Sequence, residues 1–275
     1  MSRLTGFATW AVDPHTEWTR TRLQVLLLGT VVVVLLLIGG GAWSVLSLLR
    51  PDPADPATTA TTAAGTPAQA GTAEDRLANQ PLPQAPLENA QPGPLSTGTT
   101  GTLRIPTPSA IGPANVSTGF PHTPEGALAQ LIAIDQTALS SASVQNAQAV
   151  ITSWSEPGGP TAHTWSGVRA VATLLSAAGL PADAAGDLAV TVEPAMGFIK
   201  GTVGADFVVP CVDLVISTHQ AGTTERIAAA DCQRMVWDGD RWVIGPGDEP
   251  APAPSLWPGT QASFDAGYRW LEAAP

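Results

Sequence analysis

The sequence predicts an α+β domain, three helices followed by an antiparallel sheet, carried behind one transmembrane helix and a disordered tether. Three observations predict it. Leu23 to Leu49 contains no charged residue. Residues 50–118 are rich in Ala, Pro and Thr and hold almost no aromatic or β-branched apolar side chains. From Gly119 onward, apolar stripes at helical period give way after Asp187 to runs rich in β-branched residues, bounded by Gly and Pro. The 275 residues therefore divide into a cytoplasmic tail at 1–22, a transmembrane helix at 23–49, a tether at 50–118 and an extracytoplasmic domain at 119–275.

The uncharged run exceeds the roughly 20 apolar residues that cross a bilayer as a helix. A helix satisfies its own backbone hydrogen bonds and so tolerates lipid. A buried core helix would show a polar face, and none recurs. A cleaved signal peptide would have a shorter apolar stretch closed by an A-x-A site. Arg3, Arg20 and Arg22 precede the span, whereas Arg50 is followed at once by Asp52 and Asp55. The positive flank belongs in the cytoplasm. The protein is thus expected in the cell membrane as a single-pass chain, N-terminus inside, with lipid contacting only this helix. Trp18 and Trp43 fit the interfacial positions that indoles favour.

A composition such as that of 50–118 buries too little surface to offset chain entropy. It reads as a partly polyproline-II tether with a typical span of roughly 45 Å. Leu103-Arg104-Ile105-Pro106 is read as featureless linker, with a short docking strand as the alternative. The net charge is −11. From Pro121 onward six basic residues face sixteen carboxylates. Such a domain repels phosphate backbones and anionic lipid, which excludes direct nucleic-acid binding.

Thr123 can cap the first helix, with Pro124 in its first turn and Glu125 at the favourable end of its dipole. Leu128, Leu131, Ile132 and Asp135 follow at helical spacing. A second helix is expected from about Ser143 to Trp154, with Val144, Ala147, Val150, Ile151 and Trp154 in one stripe. SEPGGP breaks the chain. A third helix runs from about His163 to Ala178 and stops at Gly179 and Pro181. LAVTVEP, GFIKGTVG, DFVVPCVDLVIST, ERIAAADCQRMVWD and RWVIG then read as strands. Gln220-Ala221-Gly222 and Asp238-Gly239-Asp240 read as hairpin turns. Thr260 can cap a last helix carrying Phe264, Tyr268 and Leu271.

Cys211 and Cys232 are the only cysteines. Their midpoint falls between Ala221 and Gly222, at the expected hairpin tip. A simple hairpin places them opposite each other, close enough for a disulfide, and the oxidising side of the membrane favours one. Pro210 complicates this, because proline in a sheet implies an edge or a bulge. A bulge in this strand would separate the pair. Two cysteines without a histidine at ligand spacing do not make a metal site.

No nucleophile elbow, S-x-x-K, H-E-x-x-H or P-loop occurs. No catalytic residue, cofactor or metal is expected. His15, His122, His163 and His219 are scattered and read as solvated loop residues. Asp135 and Asp213 read as exposed polar positions, with a cavity-facing acid/base pair as the alternative. Asn115-Val116-Ser117 matches a glycosylation sequon and is taken as chance. Trp237, Trp242, Trp257, Phe264, Tyr268 and Trp270 cluster late, as a core or as a binding surface.

Three helices before a curved antiparallel sheet resemble the nuclear transport factor 2-like cone, and WDGDRWVIG (Trp237 to Gly245) resembles its last hairpin. A cytoplasmic tail, one span, a linker and this fold outside resemble the bitopic assembly factors of type IV secretion and conjugation machines. GFPHTPEGALAQ (Gly119 to Gln130) and LWPGT–AGYRWL resemble membrane proteins of conjugative elements in high-GC Gram-positive bacteria. The resemblance implies a non-enzymatic scaffold whose partners are other channel subunits, with homo-oligomers possible. Trp257, Tyr268 and Trp270 are then the expected contact residues. A small-ligand-binding or enzymatic cone would instead bring His163, Asp213 and Arg234 to one pocket. A cell-wall-binding envelope protein is the third alternative.

Overall fold

The computed structural model describes residues 71–182 and 186–274. The expected tail, transmembrane helix and first part of the tether lie outside the described residues. Among those described, no helix is long and apolar enough to cross a membrane.

The fold is mixed α+β: helices pack on a curled, largely antiparallel seven-stranded sheet that forms a half-barrel. The elements run α1 (Ala73–Asn79), β1 (Thr102–Ile105), β2 (Ala110–Ile111), β3 (Ser117–Thr118), α2 (Pro124–Ser140), α3 (Val144–Trp154) and α4 (Ser166–Ala177). The chain continues through β4 (Ala189–Val203), β5 (Phe207–Gln220), β6 (Thr223–Cys232), β7 (Met235–Trp237), β8 (Trp242–Ile244), α5 (Gln261–Asp265) and β9 (Arg269–Ala273). Strand order is β1-β9-β4-β5-β7-β8, and β6 also pairs with β5.

The helices start where capping chemistry places them. Thr123 Oγ1 accepts from the Gly126 amide at 3.1 Å, and Ser143 Oγ from the Asn146 amide at 3.3 Å. Each satisfies a first-turn N–H that has no partner inside its helix. Leu128, Leu131, Ile134, Val150, Ile151 and Trp154 turn inward and are all fully buried. With Trp165, Val171 and Leu175 they form the core between helices and sheet.

The β5–β6 turn is tight. Gln220 pairs with Thr223, and the two residues between them, Ala221 and Gly222, both have positive φ. That is the type I′ geometry matching the twist of the flanking strands. The register carried back from this turn brings Cys211 opposite Cys232, and the two are joined by a disulfide. Pro210 does not disturb it. Its carbonyl accepts from the Gln233 amide at 3.4 Å, so its nitrogen faces the gap where β6 has ended and β7 has not begun. The irregularities fall instead in β4, between Pro194 and Met196 and between Ile199 and Gly201. LAVTVEP and GFIKGTVG are consequently one bulged strand, while ERIAAADCQRMVWD divides into β6 and β7.

Two expectations are corrected. The tether does not extend to residue 118. From Thr72 the chain is built into the domain: α1 lies on the back of the sheet, and β1 pairs in parallel with β9. Leu103-Arg104-Ile105 is thus the docking strand. The last helix is also shorter than expected. Thr260 caps it, but Gly267, at φ +90°, ends the turn. Arg269 to Ala273 then extends between β1 and β4. Two open strand edges there outweigh the helical spacing of Phe264, Tyr268 and Leu271.

Removing the disulfide by Cys211→Ser with Cys232→Ser should cost about 3 kcal/mol for a loop of this length, read as a lower urea midpoint. Native trypsin digestion should leave the bonds after Arg76 and Arg104 intact for hours. Cleavage there within minutes would restore the tether reading.

Candidate functional site

Three carboxylates gather where the helical layer meets β6. Asp135 projects from α2, on the stripe of Leu128, Leu131 and Ile132, and is 3% exposed. Asp231 lies on β6 opposite Val212, so it faces the helices. Glu249 follows β8 and caps α4 from a distance in sequence. Its two carboxylate oxygens accept from the Ser166 amide at 3.2 Å each, and the Ser166 hydroxyl donates to it as well. A helix N-terminus suits a carboxylate, because its free N–H groups and dipole both favour negative charge. Gln233, fully buried, holds the acids together. Its Nε2 lies 3.2 and 3.1 Å from the two Asp231 oxygens and 3.0 Å from Glu249 Oε1. Arg169 approaches Glu249 at 3.9 Å from the surface.

Asp135 and Asp231 line a small pocket with Ser166, Gly167, Ala170 and the β5–β6 side chains. It offers about 20 Å³ to the centre of a water molecule, room for one or two waters. Asp135 Oδ2 has no hydrogen-bond partner. Burial raises its carboxyl well above the usual range, and the charges of Asp231 and Glu249 raise it further. Asp231 is raised to about 7 by burial and then by Glu249, against the Gln233 hydrogen bond that pulls it down. Asp231 can therefore hold and exchange a proton near neutrality.

The expectation that Asp135 and Asp213 are exposed is overturned, since both are buried. They do not form one pair, however. Asp213 lies one residue out of phase with Val212 and Leu214, on the back of the sheet beside Cys211. Neither of its oxygens has a hydrogen-bond partner. Burial raises its carboxyl well above the usual range, with the Leu256 amide opposing weakly.

Nor are His163, Asp213 and Arg234 brought together. His163 is exposed in the turn before α4. Arg234 is buried on the back of the sheet, donating to Asp75 Oδ1 at 2.9 Å and lying over the Phe207 ring. The three aromatic contact residues also divide. Tyr268 is fully buried, its hydroxyl donating to the Pro254 carbonyl at 3.0 Å, so it belongs to the core. Trp257 is half-buried beneath the Arg226 guanidinium. Trp270 alone is open, at 39% exposure.

Asp231, Glu249, Gln233 and Ser166 carried no sequence signal that singled them out. Asp135 did, because it interrupts an apolar stripe. Among the described residues, no group of three His, Cys, Asp or Glu side chains is placed to hold a metal ion. Comparison of the chain with protein-family models, with curated proteins and with solved structures finds no match.

The raised carboxyls make stability depend on pH with a definite sign. In the unfolded chain they titrate near 4. Above that pH the folded chain still holds protons that the unfolded chain has released. Stability therefore falls as pH rises from about 4, and the Asp231 share is complete by about 7. The urea midpoint should be higher at pH 5 than at pH 8. Asp231→Asn and Asp213→Asn should each narrow that difference, and equal midpoints in the wild type would refute the assignment.

Proposed function

We propose that this protein is a non-enzymatic, membrane-anchored scaffold subunit of a conjugative, type IV secretion-like channel, with a nuclear transport factor 2-like domain outside the membrane. The observation that carries the reading is how the hollow of the curled sheet is filled. Leu128, Leu131, Trp154, Trp165 and Trp242 occupy it and are at most 1% exposed. In a cone whose hollow is taken by its own side chains, the surface left for function is the outer one. The disulfide suits an oxidising compartment.

On that outer surface two large apolar side chains stand together. Leu95 is 67% exposed and Trp270 39%, and they flank Gly259. A Cβ at Gly259 would lie 2.9 Å from Trp270 Cζ2 and 3.3 Å from Leu95 Cδ2. Trp is prominent among interface hot spots. Its exposure supports Trp270 as the contact residue of the proposed scaffold, for a channel subunit or a second copy.

Purification of the full-length protein from its own membranes in mild detergent should recover transfer ATPases and polytopic channel subunits. A clean protein without them would sink the scaffold reading. Trp270→Ala should reduce that recovery while moving the Tm by no more than about 2 °C, as befits a surface position. A fall of many degrees would make Trp270 a core residue instead.

A further inference from the structure

Among the described residues, β1 is the sheet edge that the chain leaves open. The other edges are occupied or blunted. Beside β8, the Glu156 amide donates to the Ile244 carbonyl at 2.8 Å, and Ser155 bridges to Ile244. Beside the first half of β4, Gln136 Nε2 donates to the Val192 carbonyl at 3.0 Å. Beside β6, Ser255 Oγ accepts from the Ala230 amide at 2.9 Å, and the tip of that strand carries the exposed Glu225 and Arg226, charges of the kind that deter edge pairing. β1 ends the strand order, and its pairing with β9 fixes where its backbone points. The Trp270 amide donates to the Gly101 carbonyl, and the Ala274 amide to the Ile105 carbonyl. Alternate residues serve one neighbour in such a ladder, so Leu103 also turns its peptide groups to β9. The N–H and C=O groups of Thr102 and Arg104 therefore point away from the sheet, and among the described residues no backbone group meets them. The core is unfinished at the same edge. Leu103 and Ile105 pack against the helix-side core yet stay only partly buried. Thr102 and Arg104 lie on the opposite face, exposed and in register with Trp270 and Glu272 of β9.

We propose that β1 is a dimerisation edge: it pairs antiparallel with β1 of a second copy, with Leu103 facing Leu103 across the two-fold axis. A two-fold axis perpendicular to the sheet closes two identical edges on each other. With Leu103 on that axis, Thr102 of each copy stands opposite Arg104 of the other. These are the residues whose peptide groups point outward, so each of the two pairs exchanges two N–H···O=C bonds and no outward group of β1 is left over. The neighbouring registers fit worse. Centring on Arg104 sets guanidinium against guanidinium and brings Thr102 opposite Pro106, which has no N–H to give. Centring on Thr102 moves Arg104 past the strand, opposite Thr100 in the preceding loop. The side chains agree with the first register. On the helix side, Leu103 meets its own copy and completes the burial that one copy leaves half done. On the other face, each row across the joined sheet runs Trp270, Thr102, Arg104, Glu272, the first two from one copy and the last two from the other. No like charges are opposed, and the exposed Trp270 and Leu95 flank the joint. A foreign strand would have to supply this match, whereas a second copy carries it by symmetry. The dimer deepens the scaffold reading and rests on it for the membrane setting alone. It is read from mass and cross-linking, and that reading from co-purified channel subunits, so either can fail without the other.

The test uses the full-length protein in mild detergent, which should be a dimer by mass at micromolar concentration. Leu103→Cys should form a disulfide between copies on oxidation, because facing Cα atoms of a non-hydrogen-bonded pair lie about 4.5 Å apart, within disulfide reach. The native Cys211 and Cys232 are already bonded to each other. Arg104→Cys should not cross-link, because its two copies are offset by two positions along the strands and stand about 8 Å apart. A register centred on Arg104 would reverse that pattern. Arg104→Pro tests the backbone itself. The Arg104 N–H makes no bond to β9, so proline removes no ladder bond from the single copy, as an edge strand allows. It does remove one bond from each of the two pairs between copies. The variant should be a monomer with an unchanged far-UV circular dichroism spectrum. A wild-type monomer would overturn the proposal, and hydrogen exchange would then assign the edge. Slow exchange at the Thr102 and Arg104 amides would give it to the chain's own residues before 71, and fast exchange to a strand of another protein. A dimer that survives Arg104→Pro, or in which Leu103→Cys fails to cross-link, is held elsewhere and would overturn the proposal as well.

Discussion

Strand β5 is buried on both faces, and the rest of the domain follows from that. Ten consecutive residues, Phe207 to Ile216, are buried. An antiparallel strand commonly shows one face to water and alternates accordingly. This one does not alternate, so the sheet needs a cover on each side. The helices α2, α3 and α4 supply the first. The second cannot come from the helices, whose chain is already committed to the concave face. It comes from the two ends of the described chain: α1 and the turn at Leu87–Ala90 before the helices, and the proline-rich run from Ala251 to Tyr268 after the strands. Met196, Phe207, Val209, Cys211 and Cys232 meet Ala78, Ala253, Leu256 and Tyr268 in this back layer.

That cover is made from sequence that builds no core of its own. Its small residues allow the backbone to approach the sheet closely, and backbone groups then do the tying. The Ala78 carbonyl accepts from both Lys200 Nζ at 2.8 Å and the Ala251 amide at 3.0 Å, so one atom links α1, β4 and the C-terminal run. The Trp257 amide reaches the Asn89 carbonyl at 2.6 Å. The price is buried charge. Arg234 lies under this layer with Asp75 as its partner, and losing one member of such a pair strands the other in a medium that solvates it poorly. Asp213 lies there with no cation beside it, and burial pushes its carboxyl well above the usual range. The acids on the concave face meet the same constraint differently, through Gln233 and the N-terminus of α4.

The helices and the hairpin were legible because their signals are local. Thr123 and Ser143 cap the helices the sequence assigns to them, and Ala221-Gly222 sets a register that reaches Cys211 and Cys232 ten residues away. The back layer was not legible from its own residues. Ala, Pro and Thr in 71–118 look the same whether the chain is free or borrows a hydrophobic face from elsewhere. The signal lay in β5: FVVPCVDLVI is apolar on both faces but for Asp213, and a run with no alternation marks burial on both faces. The same blindness hid the site. Asp135 stood visibly on an apolar stripe, but its partners are 96 and 114 residues further along the chain, and only the packing of β6 on α2 brings them together. The last strand failed for a related reason. Phe264, Tyr268 and Leu271 satisfy a helical period, and nothing local announces that β1 and β4 wait on either side.

Moving the start of the folded domain from residue 119 to about residue 71 changes what the proposed membrane anchor would allow. With residues 50–118 as a tether, an anchor at 23–49 could lie more than 200 Å from the domain at full extension, at about 3.4 Å per residue. With only residues 50–70 between them, the reach is at most roughly 70 Å, whatever conformation those residues adopt. On the proposed reading, with an anchor at 23–49, a domain on so short a lead would meet what lies next to the span before it met a distant wall. The first described element after the lead is α1, which is fastened to the back of the sheet through Asp75 and Arg234. β1 follows it and pairs in parallel with β9, the strand that carries Trp270. A pull on the proposed anchor would therefore be delivered to the buried layer and, through that pairing, to the Trp270 surface, which would make partners in the same membrane the natural ones for the proposed scaffold.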